Sequence, residues 1–251
     1  MARSDRSRPD PNSYANLTHR PINNLVFVLP ALIFFQAGTM MYGSNLLAPR
    51  DLGKLLRFFG GTASYLPALL IVTVLVVQHI VRRDRWRAQY WVVACMLGEA
   101  VGWTLPLLAL SQLTAKAFPS AVAQVLQATD QTSAVMPQVL LAVGAGLYEE
   151  FIFRLALVSV ALLLFVDIFE LPRNAVALAA VAVSAILFSI YHLSVAQLTD
   201  WSHFPAFALT FRMLAGVYLG GLYLLRGFAV AVGTHTLWNL LVVYFEMVIP
   251  S

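Results

Sequence analysis

The chain has 251 residues, 60% of them hydrophobic and only 11% charged. Soluble domains carry about 25% charged residues, so composition excludes an ordinary soluble fold and points to an all-α, polytopic transmembrane helix bundle. The net charge of +4 does not indicate nucleic acid as a partner, because most basic residues flank apolar runs, the pattern that sets membrane orientation.

Residues 1–23 are polar and include Arg3, Arg6, Arg8 and Arg20. They contain no apolar stretch of the signal-peptide kind and read as a short disordered tail on the cytoplasmic side. Residues 24–251 read as a single membrane domain. A span needs ~20 apolar residues, and such runs fall near 24–47, 63–81, 89–112, 134–166, 174–195, 204–225 and 228–249. The expected count is therefore about seven, within six to eight. Pro30 and Pro106 interrupt two of these runs, which a helix inside a bundle tolerates. The 134–166 run exceeds one span and is expected to break or bend into a helix and a short following piece.

Arg82, Arg83, Arg85 and Arg87 crowd the connection after the second run. With the arginines of the tail they place that side, and so the N-terminus, in the cytoplasm; Arg173 and Arg226 agree, while Arg50, Lys54 and Arg57 oppose. The 113–133 connection has apolar residues at helical spacing and is expected to lie along the membrane surface. The single cysteine, Cys95, sits within an apolar run and forms no intrachain disulfide framework.

The informative stretch is Glu149-Glu150-Phe151-Ile152-Phe153-Arg154. Each charge at the centre of a membrane helix costs roughly 2.5–3.5 kcal/mol, so three of them call for a reason. Glu150 and Arg154 are four apart and can pair on one helix face. Glu149 points about 100° away and stays available. Downstream lie His192, preceded at four residues by Phe188, and His235, followed at four residues by Asn239. A buried Glu and His form a plausible general-base pair, and a His and an Asn on one face offer donors to an oxyanion. Glu99 and Arg212 are further charges within spans, expected to be structural: either paired with each other or facing a wet cavity.

Glu-Glu-x-x-x-Arg, then Phe-x-x-x-His, then His-x-x-x-Asn, in this order and with Glu149, His192 and His235 spaced 43 residues apart, resembles the CPBP family of intramembrane proteases. That family contains the type II CAAX prenyl endopeptidases and many bacterial relatives, and the resemblance covers about 134–245. It implies an intramembrane endopeptidase acting on a membrane-associated protein or peptide, in a multi-pass protein of a bacterial inner membrane. By the same resemblance Glu149 and His192 activate water, His235 and Asn239 stabilise the oxyanion, Glu150 and Arg154 support them, and Phe188 packs beside the catalytic histidine. A polar cavity open to the cytoplasm is implied as well. No cofactor is expected; zinc held by Glu149, His192 and His235 is the alternative, since catalytic zinc takes three such ligands and a water.

Two other readings compete. A proton-coupled transporter also places Glu and His in membrane helices, but it predicts paired repeats, and the sequence has none. A non-catalytic scaffold or maturation partner of the same fold has no reason to keep Glu149, His192, His235 and Asn239 together.

Overall fold

The computed structural model describes residues 12–42, 65–117, 135–193, 197 and 205–248. Every regular element among them is helical. The helices are α1 (Tyr14–Thr18), α2 (Pro21–Tyr42), α3 (Leu66–Arg82), α4 (Tyr90–Ala117), α5 (Val135–Ile168), α6 (Arg173–Tyr191), α7 (Ala206–Arg226) and α8 (Phe228–Val248). Six of them are long and apolar enough to cross a membrane, and α3, with 17 residues, is shorter. Helices satisfy their own backbone polar groups, which a segment in hydrocarbon must do. Ile33, Leu69, Leu105 and Leu178 stand exposed on the outer faces, as lipid-facing side chains do. The core runs through Val28, Phe35, Ile71, Met96, Leu147 and Val232.

The 134–166 run, expected to break or bend, does not break. It continues as one 34-residue helix that passes through two π-helical segments, Phe151–Ala156 and Leu163–Ile168. Isolated π turns inside α-helices widen the winding and are frequent at functional sites. The first starts immediately after Glu150, and Ser184 Oγ on α6 donates to the Phe153 carbonyl within it at 2.7 Å. The proposed surface segment at 113–133 lies outside the described residues beyond Ala117, where α4 ends.

Successive long helices alternate in direction. At the near end, where α2 starts, Arg82 donates to the His19 carbonyl at 2.9 Å and the Gln89 amide donates to Asn23 Oδ1 at 3.0 Å. At the far end, a Cβ on Gly38 of α2 would collide with Leu140, near the start of α5. On α7, Gly216 and Gly220 face Ala185 and Val181 of α6, the small-residue spacing that lets membrane helices approach closely.

Residues 12–23 differ from the expected loose tail: they are packed onto the bundle. Leu17 and Thr18 are buried. Asn23 donates to the Leu17 carbonyl at 2.9 Å. Asn24 donates to the carbonyls of Thr18 at 3.0 Å and Arg20 at 2.9 Å, and its Oδ1 accepts the Ala229 amide at 2.7 Å. One side chain thus closes the C-terminal end of α1 and the N-terminal end of α8, both of which leave backbone groups unpaired.

Glu99 does not pair with Arg212. It accepts hydrogen bonds from Tyr14 Oη at 2.7 Å, from Trp103 Nε1 at 3.0 Å and from Arg226, whose Nη2 lies 2.9 Å from Oε2. The reason is depth. Arg212 lies about 21 Å along α7 from Arg226 at 1.5 Å per residue, and only Arg226 reaches the level of Glu99. Burial and the adjacent Glu99 carboxylate raise the Tyr14 phenol above its ordinary pKa, so it remains a proton donor to Glu99.

Candidate active site

The site forms where α5, α6 and α8 meet. Leu140 to Leu155 of α5 contains a nearly unbroken series of buried residues, including Glu149, Glu150 and Arg154. Gly146 brings α5 against α8: a Cβ there would collide with Thr236 Oγ1 and lie 2.9 Å from the Thr236 backbone nitrogen. Tyr148 packs edge-on to Phe35, ring centroids 5.2 Å apart. Phe35 stands about 21 Å along α2 from Pro21, which puts Glu149 nearer the far end of the bundle than the near one.

Glu150 and Arg154 are fully buried and form an ion pair at 3.0 Å. Arg154 also donates to the Gly216 carbonyl at 3.3 Å and stacks over the Phe188 ring, 4.6 Å from its centroid. Two buried charges at this depth persist only when paired and bonded. Glu150 has a further partner that spacing alone does not reveal. Its Oε1 lies 2.8 Å from His235 Nδ1.

The two histidines are oriented alike. His192 Nδ1 is 2.8 Å from the Phe188 carbonyl, which can only accept, so Nδ1 carries the hydrogen. His235 Nδ1 faces the Glu150 carboxylate in the same sense. Each ring thus turns its Nε2 toward Glu149: His192 Nε2 is 3.3 Å from Glu149 Oε1, and His235 Nε2 is 3.8 Å from Oε2. Phe188 lies against both rings, with centroid distances of 4.9 Å to His192 and 5.9 Å to His235. His192 follows the last residue of α6 and so stands at the far end of that helix.

Asn239 sits one turn beyond His235, and its Nδ2 donates to the Ala142 carbonyl of α5 at 3.4 Å. An amide nitrogen carries two hydrogens, so one is left for a second acceptor. Arg212, read from sequence as structural, is half-buried on α7. It lies four residues before Gly216, the glycine whose carbonyl Arg154 contacts, and that shared helix face is the signal that could have drawn attention to it. Glu150 Oε2, Arg154 Nε and Thr236 Oγ1 are buried with no hydrogen-bond partner among the described residues. Unsatisfied polar atoms are rare in folded proteins, and two of these three belong to the Glu150–Arg154 pair.

The donor set of Glu149, His192 and His235 fits a metal only in part. Zinc bonds of about 2.0–2.2 Å in a tetrahedron separate ligand atoms by about 3.3 Å; the His192 contact matches that edge and the His235 contact, at 3.8 Å, exceeds it. Among the described residues no group of three or more His, Cys, Asp or Glu is arranged to hold a metal ion.

A family model described as Type II CAAX prenyl endopeptidase Rce1-like matches residues 131–241, a segment that holds all the residues of this site. No curated protein matches the chain, and no solved structure does.

Proposed function

With an Rce1-like, type II CAAX prenyl endopeptidase domain at residues 131–241, this chain is, we propose, an intramembrane endopeptidase that hydrolyses a peptide bond of a membrane-associated protein or peptide. The observation that carries the reading is the Glu149 carboxylate, with one oxygen turned to each histidine Nε2, at 3.3 and 3.8 Å.

In this mechanism a water beside Glu149 gives up a proton to the carboxylate, helped by His192 through its Nε2. The oxygen bonds to the scissile carbonyl carbon, and the carbonyl electron pair moves onto the oxygen. Asn239 donates to that oxyanion with its remaining Nδ2 hydrogen. His235 donates only as the imidazolium, because its Nδ1 hydrogen is committed to Glu150. When the C–N bond breaks, the proton returns from Glu149 or His192 to the leaving amine. Glu150 and Arg154 hold His235 and the helix in place without touching substrate. No step is routed through a metal. Preorganised donors aimed at a developing oxyanion are commonly worth 10²–10³ in rate each.

The test compares membranes carrying the wild-type protein with membranes carrying Glu149→Gln, sequencing new peptide termini across the membrane proteome by mass spectrometry. Termini found only with the wild type are expected, and they identify the substrate. Identical termini, with both proteins folded, would overturn the protease reading in favour of a scaffold or a transporter.

A further inference from the structure

At the near end of the bundle, remote from Glu149, the connection between α3 and α4 folds back beside the start of α2 and encloses a cavity of about 390 Å³. Arg20, Arg83, Arg85 and Arg87 line it. Asp84, the one carboxylate there, lies 3.2 Å from Arg82 in an ion pair, and its Oδ2 is buried with no hydrogen-bond partner among the described residues. Arg83 is held in the left-handed region at φ 55°, a conformation that costs energy for a residue with a side chain and lets the chain turn sharply at the end of α3. Gln89 Oε1 is buried with no hydrogen-bond partner among the described residues, an acceptor set among cationic donors.

The cavity also sits at a definite level. Trp86, Tyr90 and Trp91 are 65%, 78% and 56% exposed beside it. Exposed aromatic rings at the end of membrane helices mark the plane of the lipid headgroups. Arginine forks match phosphate oxygens geometrically, and basic pockets between membrane helices suit anionic headgroups.

We propose that this cavity is a binding site for a hydroxyl-bearing phosphate diester, of the kind an anionic phospholipid headgroup presents. The arginines take the phosphate oxygens, and Gln89 Oε1 accepts from a headgroup hydroxyl. The site is separate from the hydrolytic one, and its failure would leave the protease reading untouched.

The experiment uses the full chain purified in detergent and offered equal amounts of phosphatidylglycerol and phosphatidylcholine, with bound lipid read by native mass spectrometry. Wild type is expected to retain one phosphatidylglycerol, favoured about tenfold over phosphatidylcholine. Arg83→Gln/Arg85→Gln is expected to lose that preference, while Lys116→Gln/Arg173→Gln keeps it. Inorganic phosphate in millimolar amounts is the second arm. If it displaces the lipid from the wild type, phosphate alone suffices; if the lipid stays, the acyl chains and hydroxyl contribute, and either result supports the site. Equal retention of both lipids by the wild type, or undiminished preference in a folded Arg83→Gln/Arg85→Gln protein, would overturn it. Should that variant not fold, the wild-type preference between the two lipids decides.

Discussion

Glu150 Oε1 faces two partners at once, Arg154 Nη1 in an ion pair at 3.0 Å and His235 Nδ1 in a hydrogen bond at 2.8 Å. The second glutamate of the pair is thus the link between the helix that carries the base and the helix that carries the second histidine. Glu150→Gln keeps an acceptor for His235 but leaves Arg154 as a buried, unpaired charge, a change that typically costs about 3–5 kcal/mol. Thermal melts in detergent should show Tm lowered by several degrees. The double variant Glu150→Gln/Arg154→Gln should recover part of the loss, and a double variant no more stable than the single one would refute the pairing argument.

Metal removal should leave turnover unchanged. Prolonged treatment with a chelator, followed by assay against a substrate found by the terminus comparison, is expected to give full activity. Loss that added zinc restores would reassign Glu149, His192 and His235 as ligands.

Gly146→Ala should separate folding from catalysis. The added methyl meets Thr236 Oγ1 and backbone, which cannot yield without moving α8 away from α5. A shift of about 1 Å in reacting groups can cost about 10²-fold in rate. Turnover is expected to fall by about that factor while the protein still inserts and purifies as a monodisperse species; wild-type turnover would show that the close approach does not position the site.

His19, outside the spans, supplies a pH-dependent contribution to stability. Burial lowers its pKa below the ordinary 6.5, and the charges of Arg82 and Arg226 add to the effect, against the opposing hydrogen bond to the Leu225 carbonyl. A depressed imidazole pKa means that the unfolded chain takes up the proton first as pH falls. Stability is then undiminished above about 6.5 and declines as pH drops from there toward the folded-state value. Melting the wild type and His19→Gln from pH 7.5 to pH 5 should show a steeper loss of Tm for the wild type, and parallel curves would refute it.

Much of the site was legible because its pairs are local. Glu150 and Arg154 are four apart, as are Phe188 and His192, and helix geometry alone brings each pair together. The Glu150–His235 contact spans 85 positions and depends on how α5 and α8 pack, which no periodicity encodes. The π turn after Glu150 leaves no mark in composition, since a change of winding keeps the same apolar residues. Glu99 is structural, as its isolation within a span suggests, but its partners are boundary residues that spacing does not reveal: Tyr14 of the polar N-terminal segment and Arg226 at the end of α7. A long arginine side chain and a tail that folds inward both bring boundary groups to membrane depth. Asn23 and Asn24 likewise leave no periodic signal, since their partners at Leu17, Thr18 and Ala229 are fixed by how the N-terminal segment packs.

The alternation of α2 through α6 also has a consequence for compartments. Five helices, the 17-residue α3 among them, separate the residues before Pro21 from His192, so these two points stand at opposite ends of the bundle. A reporter fused ahead of residue 12 would report the compartment that His192 does not face. With Glu149 set toward the far end, water and a peptide have their shorter route from that end, so under the proposed protease function locating the tail also locates the side from which substrate enters.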